Sequence, residues 1–150
     1  MANIFRLGGS NAVVKLEIIK NGIKQSGYDF TASTGTITWD SNGLNYSLSG
    51  NTTRYLTINN PISIPSDKKT FLTIEIDKQA STEQYGYSYF NIEGMENKYN
   101  LNILATEART TGFETLTIEL KNLSQFTQFR LNNANGDYKV IIKNMRFEIM

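Results

Sequence analysis

Histidine and cysteine are both missing from this chain, and among 150 residues there are two prolines and one tryptophan. Without histidine, no side chain has an ordinary pKa near neutrality. Without cysteine there is no thiolate nucleophile, no soft-metal ligand and no disulfide framework, so the fold must stand on packing alone. An excess of charge is lacking too, with 15 basic residues against 14 acidic ones, scattered along the chain. Nucleic-acid binding normally shows as a basic patch or stripe; none is visible, and no nucleic acid is expected as a partner. No run approaches the ~18 apolar residues of a membrane span, so no membrane insertion is expected. The start, Met1–Ser10 (MANIFRLGGS), has no basic region followed by an apolar core of roughly 7–15 residues. No secretory signal is expected there, and the product is expected to be made in the cytoplasm.

What the chain has is alternation. Thr70–Asp77 (TFLTIEID), Phe113–Leu120 (FETLTIEL) and Asn144–Met150 (NMRFEIM) each place apolar residues at every second position. That period buries one face of a strand and wets the other. Leu72, Ile74 and Ile76 share a face, as do Leu116, Ile118 and Leu120, then Met145, Phe147 and Ile149. Leu44, Tyr46 and Leu48 fall together in the same way, and these are the expected core. Trp39, in phase with Ile37, is expected to join it.

Strands are expected within residues 3–7, 12–20, 28–32, 36–39, 44–49, 54–58, 70–77, 85–92, 99–104, 113–120, 126–131 and 138–149. Asn, Gly, Ser or Pro separate them. Asn21-Gly22 is the strongest hairpin signal. Pro61 and Pro65 mark an edge or crossover segment. Residues 101–111 could alternatively hold a helical turn. About ten strands at ~8–15-residue spacing describe a sandwich or jelly roll.

Residues 1–26 are simple and aliphatic, whereas the vocabulary of Trp, Tyr and Asn begins at Tyr28. Two alternatives stay open: an N-terminal arm or hairpin mediating assembly, or the first strands of the domain completed by residues 27–150. On the first, the aliphatic residues Val13, Val14, Leu16 and Ile18 would form the assembly contact as a strand donor.

Three chemistries remain to be weighed. Carboxylates are available at Glu75, Asp77, Glu93, Glu96, Glu114, Glu119 and Glu148, and glycosidases need two of them ~5–9.5 Å apart. Several lie on the polar phase of amphipathic strands, where solvated charges belong, so no catalytic residues are expected. Asn132–Asp137 is rich in oxygen ligands but has one carboxylate and no bidentate Glu at calcium-loop spacing, so it reads as a turn. No metal and no cofactor are expected. Tyr85, Tyr87 and Tyr89 share one face of a strand whose other face carries Phe90 and Ile92. An exposed tyrosine ladder could stack on sugar rings, contact a protein or simply stabilise the sheet.

Trp39–Leu48 (WDSNGLNYSL), Phe71–Ile76 (FLTIEI) and the closing Phe129–Leu131 and Asp137–Phe147 (DYKVIIKNMRF) resemble the jelly-roll modules grouped as carbohydrate-binding or galactose-binding-like. Independently, MANIFRLGGS resembles the openings of small structural proteins of tailed phages and prophages, whose N-terminal segment docks to the particle. The resemblances imply an all-β, two-sheet antiparallel β-sandwich of jelly-roll type with an N-terminal arm or hairpin. They imply a non-catalytic virion component: a capsid decoration, head fibre or tail/baseplate protein. Its partners would be other virion proteins, further copies of itself and a cell-surface glycan. The alternative is a free-standing carbohydrate-binding module, and a glycan-cleaving enzyme comes third.

Overall fold

The computed structural model describes residues 12–49, 53–80, 87–95, 100–104, 112–132 and 137–150. The strands are β1 (Val14–Lys20), β2 (Ile23–Lys24), β3 (Phe30–Ala32), β4 (Thr36–Asp40), β5 (Gly43–Ser49) and β6 (Thr53–Ser63). They continue with β7 (Thr70–Ala80), β8 (Tyr87–Ile92), β9 (Asn100–Leu104), β10 (Glu114–Leu120), β11 (Gln125–Asn132) and β12 (Asp137–Ile149). Among the described residues there is no helix. The expected strand at residues 3–7 lies outside them, as does the stretch 105–111; residues 100–104 are strand.

Two antiparallel sheets stack on each other. The larger has seven strands in the order β10-β7-β12-β1-β2, with β5 pairing β12 and β4 pairing β5. The smaller has five in the order β3-β6-β11-β8-β9. The spine of the larger sheet is β12, 13 residues long. It pairs β7 along one edge and, on the other, first β5 and then β1. The period-two pattern explains the stacking. Leu72 pairs Ile118 and Phe147, and Ile74 pairs Leu116 and Met145, so the apolar phases of β7, β10 and β12 coincide. Leu72, Ile74, Met145 and Phe147 are fully buried, whereas Leu116, on the outermost strand, is half-buried. The Phe126 ring lies 5.1 Å from Phe129 on its own strand and, across the interface, 5.2 Å from Phe147, which ties the two sheets together. Each such side chain contributes roughly 1.5–3 kcal/mol when fully removed from water.

Irregularities of register do the shaping. In β1 the pairing slips between Glu17 and Ile19, so Ile18 and Ile19 are both fully buried despite being neighbours. In the β6–β11 ladder the register jumps from Phe126↔Ile62 to Gln128↔Thr57. The chain from Ile58 to Pro61 therefore loops out of the β11 ladder while still counting as strand, and Pro61 sits where its missing N–H costs no ladder bond. The stretch around Pro61, expected as an edge or crossover segment, is instead a bulge within β6.

Asn21-Gly22 forms the tight β1–β2 turn, both residues having positive φ (50° and 82°), as a two-residue hairpin loop requires. It is packed against the rest of the sheet. Asn21 N donates to Asn144 Oδ1 (2.7 Å) and Gly22 N to the Lys143 carbonyl (2.9 Å), at the point where β12 bulges between Ile142 and Asn144.

Trp39 corrects an expectation. It is 37% exposed, not in the core. β4 pairs β5 alone, so its phase faces inward only at the margin of the sandwich. There the indole lies 6.2 Å from Phe30 on one side, with Lys24 Nζ 5.9 Å above the ring.

Candidate functional site: the outer face of the smaller sheet

The inner face of the smaller sheet is made by Phe30, Leu56, Ile58, Ile92 and Phe129, all buried. Alternation puts Thr31, Tyr55, Thr57, Gln128 and Arg130 on the opposite, outward face. Antiparallel register aligns them in rows. Thr31 pairs Thr57, which pairs Gln128. Tyr55 pairs Arg130, which pairs Asn91, which pairs Asn100. Asn132 pairs Tyr89, which pairs Asn102. The Thr57 hydroxyl donates to Gln128 Oε1 at 2.8 Å, fixing which end of the amide faces solvent. Beside Tyr55 the chain is zipped to Ser33: Ser33 N donates to the Tyr55 carbonyl, and Tyr55 N to Ser33 Oγ, each at 3.0 Å. Tyr55, Thr57, Gln128 and Arg130 are half-buried, so each is held by its neighbours yet reachable from solvent. A phenol ring, a guanidinium, an amide and hydroxyls on one rigid sheet can offer an apolar platform surrounded by hydrogen-bonding groups.

Of the tyrosines singled out in the sequence, Tyr85 lies outside the described residues. Tyr87 and Tyr89 are positions of β8, where Tyr89 is in register with Asn132 and Asn102. The residues that sequence reasoning missed are Tyr55, Thr57, Gln128 and Arg130. Tyr55 had a local signal, since it alternates with Leu56 and Ile58. That Arg130 stands beside it follows only from the β6–β11 pairing, which joins residues far apart in the chain.

The other sequence candidates fall elsewhere. Ile18 is in the core and Leu16 is half-buried against it, so neither is open to a neighbouring subunit. Their strand is built into the larger sheet by its pairing with β12. Val13 and Val14 are 44% and 45% exposed. Several carboxylates are engaged locally. Asn144 Nδ2 donates to Glu75 Oε2, and Lys121 lies 3.3 Å from Glu119. Arg146 Nε donates to Glu148 Oε1 at 2.7 Å and holds that carboxyl below its usual range. Asp77 is buried, Glu114 is exposed, and Glu96 lies outside the described residues. Among the described residues no three acidic or metal-binding side chains converge on a cation site. Residues 133–136 of the Asn132–Asp137 turn are outside them.

No protein-family model matches the chain, and no curated protein matches it. Solved structures do. A tyrosine-to-alanine variant of CBM29-2, a family 29 carbohydrate-binding module, superposes with a TM-score of 0.58 at 15% identity, over 91% of this chain and 93% of that one. A lysine-to-alanine variant of the same module, complexed with cellulohexaose, gives 0.57 at 17% identity over 92% of both chains. The module CBM29_1 from Piromyces equi gives 0.54 at 11% identity, over 91% of both. At such identities the likeness is one of fold: this protein is an all-β antiparallel sandwich of the kind used by family 29 modules.

Proposed function

We propose that this protein is a non-catalytic carbohydrate-binding module that takes a glycan chain across the outward face of its smaller sheet. The observation that carries the reading is the Tyr55–Arg130 pair, flanked by Thr57–Gln128, on the exposed face of a sandwich whose structural neighbours are carbohydrate-binding modules. In this reading the Tyr55 ring stacks on the apolar face of a pyranose, while Arg130 and Gln128 bond its hydroxyls. Alanine variants of the neighbour, made to probe ligand recognition, include a tyrosine, an arginine and an aspartate. Glu75, Glu119 and Glu148 are each engaged by a neighbouring side chain, so a binding role fits better than the glycan-cleaving one, which needs a carboxylate pair.

The virion reading rests on the wording of residues 1–10, and neither the fold nor the structural neighbours add to it. Virion partners, homo-oligomerisation and a place in a particle gain nothing from them either. A carbohydrate-binding module is the better account. The test is affinity electrophoresis of the wild type, Tyr55→Ala and Arg130→Ala through gels containing soluble β-glucans, xylans, mannans and pectins. We expect retardation by at least one polymer, weakened about tenfold or more, ~1.4 kcal/mol, in Tyr55→Ala. Free migration in every gel, or retardation untouched by both substitutions, overturns the assignment.

A further inference from the structure

A second feature belongs to neither sheet face. Where the β2–β3 connection crosses the mouth of the sandwich, an open cleft of about 500 Å³ lies between that connection, the looped-out stretch of β6 and the paired ends of β1 and β12. Its volume is within the range of small-molecule sites, roughly 300–1,000 Å³. Core side chains form its floor: Ile62 and Ile149 are buried, and Leu16 is half-buried. Its walls include three rings, those of Tyr28, Pro61 and Pro65, and its rim carries Ser26, Asn60 and Ser63.

We propose that this cleft is a second ligand site, taking one neutral pyranose ring. Three observations point to it. The walls are fixed by structure: Pro61 is held out of the β11 ladder by the register jump between Phe126 and Gln128. The Asn60 amide is tied down as well, donating to the Gly27 carbonyl and so joining one wall to the other. Finally, among the described residues no Lys, Arg, Asp or Glu lines the cleft. A charged ligand would be desolvated against Ile62, Ile149 and the prolines with no counter-charge, which is costly. A neutral ring with C–H faces and a hydroxyl edge matches flat apolar walls and a rim of serine and asparagine. Its site is distinct from the Tyr55–Arg130 face, because its floor is made of core residues that point between the sheets.

The choice of a sugar as ligand rests on the glycan reading above, and the experiment separates the two. The ¹⁵N-labelled protein is titrated with glucose, galactose, mannose, xylose and cellobiose up to about 50 mM, well above a millimolar Kd. We expect saturating amide shifts at Gly27, Tyr28, Ser63 and Ile149 with at least one sugar. They should persist in Tyr55→Ala and weaken about tenfold or more in Tyr28→Ala. They should also be lost in Ser63→Leu, whose side chain fills the cleft from an exposed position. No shifts at these amides with any of the sugars would overturn the cleft while leaving a polymer-binding face intact. Shifts that vanish in Tyr55→Ala, or that survive both cleft substitutions, would overturn it equally.

Discussion

Leu72 shows what a single side chain does here. It is fully buried, paired on one side with Ile118 and on the other with Phe147, with no polar group among these partners. Truncation to alanine removes its transfer energy and leaves a cavity that rigid neighbouring strands cannot close. Leu72→Ala should therefore cost about 2–5 kcal/mol in urea unfolding. Ile23→Ala, at 66% exposure, should stay within about 0.5 kcal/mol. Charge effects are smaller and depend on pH. Asp29 is held below its ordinary pKa of 3.8 first by the Lys24 hydrogen bond, then by the Phe30 N–H and the Lys24 charge. Glu148 is held below 4.5 chiefly by Arg146. A carboxylate more acidic in the folded than in the unfolded state adds stability that is complete above the unfolded pKa and is lost as pH falls through the folded one. For the part-exposed Arg146–Glu148 pair this is on the order of 0.2–1 kcal/mol, less at high salt. The difference in urea midpoint between wild type and Arg146→Gln should be constant above about pH 6 and shrink as Glu148 protonates below its ordinary 4.5. Core residues of this kind were legible in the sequence because period two is a local signal. Trp39 was misplaced because alternation gives a face, not the distance of that face from the sandwich margin.

At the level of elements, Asn21-Gly22 was legible because its geometry is a property of two residues. β2 was not, because Ile23-Lys24 is too short to show a pattern. The bulges in β1, β6 and β12 were hidden for another reason: they are mismatches between strands, and neither strand carries them alone. One bulge has a measurable consequence. A Cβ on Gly43 would lie 2.2 Å from the Ile142 carbonyl oxygen, at the edge of the β12 bulge, whereas a Cβ on Gly27 would meet nothing within 4 Å. Both glycines have positive φ, 109° and 90°, so alanine is strained at either position. The difference between Gly43→Ala and Gly27→Ala thus isolates the close approach. Gly27→Ala should cost about 1 kcal/mol by thermal unfolding, and Gly43→Ala should cost well over that, because rigid backbone cannot yield. Equal losses would show that conformation, not contact, dictates the glycine at Gly43.

Over the whole molecule, the sandwich class could be read from strand spacing, but the order of strands in each sheet could not. The placement of β1 beside β12, at opposite ends of the chain, is a long-range pairing that leaves no mark on either segment. This decides how residues 1–26 bear on stability. Within them, β1 contributes Ile18 and Ile19 to the core and covers an edge of β12 from Met145 to Ile149. Deleting residues 1–24 would expose Met145 and Phe147 at a bare sheet edge, a template for association. It would also remove two fully buried isoleucines, each worth roughly 1.5–3 kcal/mol. Against a typical total stability of about 5–15 kcal/mol, that loss takes a large share. The truncated protein should aggregate, or unfold without a cooperative transition when followed by circular dichroism in urea. Supplying a synthetic peptide of residues 12–24 in trans should restore part of the transition by refilling the β12 edge. A truncated chain that stays monomeric and unfolds cooperatively without the peptide would show that β12 tolerates an open edge and that residues 1–24 act outside the core.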